Sequence, residues 1–397
     1  MDAIDLHPLD VFTVRDGRPF DVGGVVHANA VWPPSPWTIL GALRTSLCEV
    51  LGVSGVEYGR SGNGDERVRR VIEILGRPDK APTFQIGPAL LARDAEVYWP
   101  VPADLVTFTD KEEKDPSENN ERKIRSARLR LLRRDGLSEL RCTPSIDREL
   151  VLLPPDPPEG FQHPDKSPGL KYFDTMQLEA WLAGKPIAAV AATERPLPLG
   201  TEPRIGIGMD YEKNTVREGR FYVRYAHALG EALEFNSQYS LQVPVVRPGR
   251  DDVPWAGLDG QHLRLGADGH LARIRWRANA ISLPEPGSTS GRAALLFLSP
   301  VHPDDLRAID IDGKAATVEA VCANRAISIG GWQLRHDGDR QSGPRRMRRY
   351  YPAGTVVYVR SDADLARLHA RSIASDPEER AAGFGFCLVG AAPAVED

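Results

Sequence analysis

The sequence predicts an α+β protein of two domains, each built from a small antiparallel sheet with helices packed on one face. Three observations carry that reading. Strand and helix patterns are interleaved along the chain without a regular repeat of strand-helix units, which argues against a doubly wound parallel sheet. A capped amphipathic helix is legible near the start: Ser35 can cap it, Pro36 suits its first turn, and Leu40, Leu43, Leu47, Val50 and Leu51 share one face. The length of 397 residues exceeds one small domain and fits two of roughly 200 residues each.

Ahead of that helix, Leu9-Asp10-Val11-Phe12 reads as a buried strand that runs into a loop carrying Arg15, Asp16 and Arg18. Two guanidiniums on a loop held between a strand end and a helix start have the chemistry of a phosphate clamp. Beyond the helix, 52–64 is rich in Gly and Ser, and Val68, Val71, Ile72 and Leu75 then mark a short helix. The stretch 80–102 reads as short strands broken by proline.

An acidic segment at 110–121 precedes seven cations in the thirteen residues 122–134. Ile124, Ala127 and Leu131 suit a helical face, whereas the alternation at 128–131 and the turn signal Asp135-Gly136 suit a strand hairpin. The stretch is either a solvated element neutralised by its acidic neighbour or an RNA-facing arm. Proline-dense 154–168 reads as an irregular connection, and Met176, Leu178, Trp181 and Leu182 mark a short helix.

Pro196, Pro198 and Gly200 mark the expected domain boundary, giving domains 1–199 and 200–397, the first with insertions at about 52–66 and 108–170. After it, 204–210 and 219–225 read as strands joined by a polar turn around Lys213-Asn214. Further strands are expected at 271–276, 293–298 and 355–360, with a helix capped by Ser361 over 364–371. A glycine-rich turn, Gly383-Phe384-Gly385-Phe386, enters a last apolar strand.

Composition narrows the function classes. Hydrophobic residues make up 41% and charged residues 26%, no apolar run approaches the roughly 20 residues of a membrane span, and the N-terminus lacks a secretory pattern; a cytoplasmic protein is expected. Cys48, Cys142, Cys322 and Cys387 are scattered, which argues against a disulfide framework or zinc knuckle, and Cys48 and Cys387 sit in apolar surroundings that suit core packing. No metal-binding histidine spacing or phosphate-loop motif occurs, so no metal and no cofactor are expected. The net charge of −5 does not exclude a nucleic-acid partner, because 50 cations and 55 acids can segregate on the surface.

The densest cationic stretch holds Arg335, Arg340, Arg345, Arg346, Arg348 and Arg349 against only Asp337 and Asp339. Rooted between Gly330-Gly331-Trp332 and Pro352-Ala353-Gly354, it can follow a phosphate backbone while Trp332, Tyr350 or Tyr351 offers a base a stacking surface. The turn at 383–386 either presents N–H groups to an anion or serves as a tight turn, with Phe384 and Phe386 either stacking on bases or filling a core. For catalysis the sequence offers His27, a general base for metal-free RNA cleavage in principle. Asp10, Asp16 and Asp21 lie close enough in sequence to be imagined as metal ligands, but Asp16 equally suits a turn or an arginine partner, and spacing defines no nucleophile-base pair.

The ordered set of Leu9-Asp10-Val11, Arg15-Asp16-Gly17-Arg18-Pro19-Phe20, Pro33-Pro34-Ser35-Pro36 with Gly41-Ala42-Leu43-Arg44, Arg204-Ile205-Gly206-Ile207, Gly330-Gly331-Trp332 and Gly383-Phe384-Gly385-Phe386 resembles the RAMP superfamily. Within it, the set is most similar to the third-subunit family of the type III-B CRISPR effector, the Cmr complex. The match covers about the first fifty residues, 204–225 and about 328–390; the intervals 150–200 and 226–320 carry no matching motif. The resemblance implies two ferredoxin-like, RRM-related domains and a subunit that does not cut RNA. It implies antiviral defence in which the chain holds the 5′ repeat-derived tag of the CRISPR RNA, docks on the large polymerase-palm subunit beside a RAMP backbone subunit, and meets target RNA only indirectly. Carried over by position, the expected RNA contacts are Arg15, Arg18, Arg44, Arg345, Arg346, Arg348, Arg349, Gly383, Phe384, Gly385 and Phe386. The competing expectations are an endoribonuclease with His27 as base and a scaffold that touches no RNA.

Overall fold

In the first strand, β1 (Asp2–Pro8), alternation sends Ile4 and Leu6 to one face of a sheet and Asp5 and His7 to the other. The expected strand at 9–12 therefore lies one segment too late. Asp10 Oδ1 accepts from the Val11 N–H at 2.7 Å and bends the chain, leaving Leu9 about half exposed and Phe12 in an isolated bridge with His227. The computed structural model describes residues 1–14, 27–28, 31–60, 65–94, 96–110, 123–133, 150–162, 172–187, 190–191, 199–229, 239–266, 269–334 and 342–396.

Helix α1 (Pro36–Val50) begins as its sequence dictates, with the Ser35 side chain accepting from the Thr38 N–H and Pro36 in the first turn. Its buried face, Ile39, Leu40, Leu43, Leu47 and Cys48, covers Ile4 and Leu6 of β1. Short α2 (Gly55–Gly59) and α3 (Glu66–Leu75) pack beside it, the latter through Val68, Val71, Ile74 and Leu75. The chain returns as β2 (Leu90–Arg93) and β3 (Glu96–Pro100), makes a hairpin of β4 (Leu105–Asp110) and β5 (Lys123–Arg128), and forms α4 (Thr175–Leu182). A long hairpin follows, β6 (Leu199–Asp210) with β7 (Thr215–Leu229), turning at Asn214 with a positive φ of 51°. Three further strands, β8 (Tyr239–Arg247), β9 (His262–Leu265) and β10 (His270–Arg277), complete the first sheet.

The expected boundary at 199/200 is corrected by this sheet. Its central order is β2-β8-β1-β10, every neighbour antiparallel, so strands from both sides of residue 200 hydrogen-bond in one ladder. The Pro196-Pro198-Gly200 cluster leads into the β6–β7 hairpin, an excursion between the second and third central strands. The second sheet begins only with β11 (Arg292–Phe297) and adds β12 (Lys314–Cys322). A small ladder of β13 (Ile327–Ile329) and β14 (Arg348–Tyr350) intervenes before β15 (Val356–Arg360). Five-residue β16 (Phe386–Gly390) closes the sheet in the order β12-β15-β11-β16, again wholly antiparallel. Both sheets thus repeat one pattern: second, third, first, fourth.

The second sheet is buried on both faces, which is why its strands read as continuous apolar runs. Ala294, Leu296, Val356, Tyr358, Phe386 and Leu388 face one cluster, shared with α4 and with Leu90, Val97 and Trp99 of the first sheet; Leu295, Phe297, Val357, Val359, Cys387 and Val389 face another. Where a helix capped by Ser361 is expected, only the 3-10 turn Leu365–Leu368 forms, capped by Asp364. The last helix, α5 (Pro377–Ala382), ends at Gly383, whose φ of 87° is left-handed. A Cβ there would lie 2.7 Å from Gly87 O, beside the first sheet, so only glycine admits this approach of the two lobes.

The described residues of the cationic stretch, 123–133, form strands, β5 and the segment Arg130–Arg133. Arg128 is mostly covered, its side chain 12% exposed: its Nε donates to Asp104 Oδ2 at 2.9 Å, its guanidinium lies 4.4 Å from the Trp181 ring, and it donates to the Ala391 carbonyl at 2.7 Å. Trp181 Nε1 and the Tyr358 hydroxyl also donate to the fully buried Asp104. Arg130 pairs with Glu396 at 3.3 Å. Arg128 and Arg130 are thus engaged within the chain, and Arg128 ties the β4–β5 hairpin, α4 and the second sheet together.

Candidate nucleic-acid interface

Motifs separated by some 350 residues meet at the N-terminal end of α1. Trp37, in the first turn, packs on Phe384 at 5.1 Å between centroids, and Phe384 packs on Tyr350 at 5.0 Å. The Arg345 guanidinium sits 3.9 Å over the Trp37 ring, donates to Glu378 at 2.8 Å, and its backbone N–H bonds the Gly331 carbonyl. Arg348 Nη1 and the Tyr350 hydroxyl donate to Oε1 of buried Glu379 at 3.0 and 2.7 Å. Burial, with the Glu379 carboxylate beside it, pushes the Tyr350 phenol well above its ordinary pKa and keeps it a neutral donor. The counterions of the arginine stretch are thus the α5 glutamates, which sequence reasoning missed; the helix-start pattern Asp376-Pro377-Glu378-Glu379 was their only signal.

The expected contact residues divide sharply by burial. Arg346 and Arg349 are exposed and have no ion pair among the described residues. Arg345 is held by Trp37 and Glu378, and Arg348 is half-exposed on Glu379. Arg44 is half-buried and already engaged within the chain: it donates to the Tyr58 hydroxyl at 2.8 Å and to the Arg77 and Lys80 carbonyls, clipping α1 to the turn after α3. The turn at 383–386 is closed to direct contact. All four N–H groups bond within the chain, Gly383 to Arg380 O, Phe384 to Glu379 O, Gly385 to Pro300 O and Phe386 to Ser299 Oγ, while both phenyl rings have no exposed surface. No N–H remains for an anion and no ring for a base. Among the expected stacking surfaces Tyr350 is buried, Tyr351 is half-buried, and Trp332 is 64% exposed.

Arg15, Arg18, Asp16, Asp21, Arg335 and Arg340 lie outside the described residues, as does the side chain of His27, whose backbone pairs with Val223. On either side of Arg15 and Arg18 in the sequence, the Val31 N–H bonds the Val14 carbonyl at 2.7 Å. Val31 and Trp32 line a cleft of about 630 Å³ between the lobes. Its walls are the proline run before α1, β2, the β4–β5 hairpin, β13 and the turn at Pro352, with three half-buried aromatic rings, Trp32, Tyr98 and Tyr172. Trp32 Nε1 donates to the Tyr172 hydroxyl, and burial pushes that phenol up to about 12. These rings went unnoticed in the sequence because they come from three distant segments.

Cys48, Cys322 and Cys387 are free and at least half-buried, as expected for Cys48 and Cys387, and burial drives their thiols up to about 12, 11 and 12. Among the described residues no group of three or more His, Cys, Asp or Glu is placed to hold a metal ion, and no helix is long and apolar enough to cross a membrane.

The profile of the family described as CRISPR-associated protein (Cas_Cmr3) matches residues 4–392. The chain belongs to the Cas_Cmr3 family. The resemblance drawn from its motifs is borne out, and the chain is Cmr3-like. Among solved structures, this Cas_Cmr3 chain is similar to one in the cryo-EM structure of the type III-B Cmr-beta bound to cognate target RNA, at 15% identity and TM-score 0.44, covering 90% of this chain and 86% of that one. It is similar at 14% identity and TM-score 0.43, with the same coverage, to one in the type III-B Cmr-beta bound to cognate target RNA and AMPPnP, state 1. No curated protein matches it in sequence.

Proposed function

We propose that this Cas_Cmr3 chain is a non-catalytic subunit of a type III-B CRISPR effector that holds the 5′ repeat-derived tag of the CRISPR RNA and docks on the large polymerase-palm subunit. The observation that carries this reading is the convergence of the family motifs around α1, beside an aromatic cleft and two exposed arginines that have no ion pair among the described residues. We read each lobe as a ferredoxin-like unit, since the repeated second-third-first-fourth strand order is the order of that fold. The rigid knot of Trp37, Phe384, Tyr350 and Glu379 fixes the ladder that carries Arg349 and the neighbouring Arg346. These two cations take phosphates, which set register but carry no base identity. Bases splayed from the strand enter the cleft and stack on Trp32, Tyr98 or Tyr172, each stack contributing about 1–3 kcal/mol. Arg15 and Arg18, which follow Val14 in the sequence, add further phosphate contacts in this reading.

The test is a binding series with tagged RNA across salt concentrations. Arg346→Ala with Arg349→Ala is expected to weaken binding and to flatten the log-log salt slope by about 1.4, two phosphates at about 0.7 each. An unchanged slope would sink the site. Incubation of the purified chain with repeat RNA in EDTA is expected to leave the RNA intact; cleavage that His27→Ala abolishes would install the endoribonuclease reading instead.

A further inference from the structure

The first sheet has one face covered by α1 and α3 and a second face that is covered only in part. At its β2 and β3 end, Leu90, Val97 and Trp99 of this second face pack into the core shared with the second lobe. Further across, Asp5, Ser240 and Gln242 are also buried, with Asp5 bound by Gln242 at 3.0 Å and by Arg277 at 2.6 Å. Beyond Asp5 the covering stops. Along β10, Leu271, Arg273 and Arg275 are exposed while Ala272 and Ile274 are buried, and along β9 His262 and Arg264 are exposed while Leu263 and Leu265 are buried.

The register places these side chains together. His262 pairs with Arg273, Arg264 with Leu271, and on the other side of β10 His7 pairs with Arg273 and Asp5 with Arg275. Directly opposed residues share a face, so Arg264, Arg273 and Arg275 stand in one group on the open side. Arg273 and Arg275 are two residues apart on a strand, roughly 7 Å, and Arg264 is diagonal to Arg273 at about 7–8 Å. Each guanidinium can therefore meet a separate anionic group. None of the three has an ion pair among the described residues, and Asp5, whose side chain shares this face, is already neutralised by Arg277.

We propose that the open β9–β10 face is a second RNA contact, a sequence-independent track for three successive phosphates of a single strand. It lies on the side of the sheet opposite α1, away from the Arg346 and Arg349 cluster. A protein partner fits the surface less well: docking cores are built on aromatic and other apolar side chains, with Arg beside them, whereas this patch offers a single half-exposed apolar side chain, Leu271, and no aromatic ring among its described residues. The identity of the polyanion rests on the RNA-holding reading; the existence of the track does not.

The full-length chain is titrated with fluorescein-labelled polyuridine over a salt series, because phosphate contacts need no particular sequence. Arg264→Ala, Arg273→Ala and Arg275→Ala together are expected to flatten the salt slope by about 2, and the triple lysine variant to keep it. An unchanged slope in the alanine variant overturns the proposal, as does loss of co-purification with an effector protein while the RNA slope stays intact, since that marks a protein-docking face. Loss of slope in both the alanine and lysine variants, with a lowered melting temperature, also counts against it. The Arg346 and Arg349 variant measured alongside separates the two sites: if it alone is silent, the primary site fails and the track stands.

Discussion

Phe384 sits between Trp37 and Tyr350 with no exposed surface, and residue type alone could not distinguish this from a stacking platform. Phe384→Ala is expected to cost about 3–5 kcal/mol of stability, read by denaturant unfolding, whereas Arg349→Ala leaves the unfolding midpoint unchanged and weakens RNA binding. The same ambiguity governs the arginines. Arg345 and Arg348 find carboxylates 33 and 31 residues away, while Arg346 and Arg349, in the same pentapeptide, find none among the described residues. No local pattern encodes that division, because it depends on where α5 docks.

His369 gives a second prediction at this scale. The Val389 N–H donates to its Nδ1 at 3.1 Å, so Nε2 carries the proton and donates to the Pro284 carbonyl at 2.8 Å. Burial is the main cause that holds its pKa below the ordinary 6.5. The unfolded chain therefore takes up a proton near pH 6.5 and the folded chain only at lower pH, so this contribution to stability is full above about 6.5 and is lost as pH falls below it. The melting temperature is expected to drop between neutral and mildly acidic pH, and His369→Gln to shed that part of the dependence.

Helices whose signals are local were legible. Ser35, Pro36 and the apolar spacing after them specify α1 without help from the rest of the chain. Elements whose signals are distant were not. The stretch holding β5 could be read as helix or strand, and what settles it is a mostly covered Arg128 whose partners Asp104, Trp181, Tyr358 and Ala391 come from four other segments. Removing one member of a buried charged network leaves the other charge unpaired. Arg128→Ala is expected to destabilise the protein by about 3–5 kcal/mol and to detach the β4–β5 hairpin, seen as amide exchange in 105–128 well before global unfolding.

Across the whole molecule, the α+β class and the antiparallel sheets were readable, yet the division into lobes was not. Prolines near residue 200 punctuate an insertion, while the pairing that decides the lobe joins Asp5 to Gln242 across 237 residues. The interval 226–320, where no motif matched, supplies three strands of the first sheet and the open basic face. The site was legible in its ingredients, Pro36, Trp332, Arg346 and Arg349, but its supporting knot and its aromatic cleft exist only once the two lobes close on each other. Both features enter the proposed function in the same way: buried family motifs hold up a surface on which exposed arginines and cleft aromatics are proposed to grip RNA. Ultraviolet crosslinking of the CRISPR RNA within the native effector, followed by mass spectrometry of the crosslinked peptides, tests it most directly. Crosslinks on the cleft residues Trp32, Tyr98 or Tyr172 and on peptides spanning 345–349 are the predicted result; crosslinks on the buried 383–386 turn, or none on this chain, would contradict it.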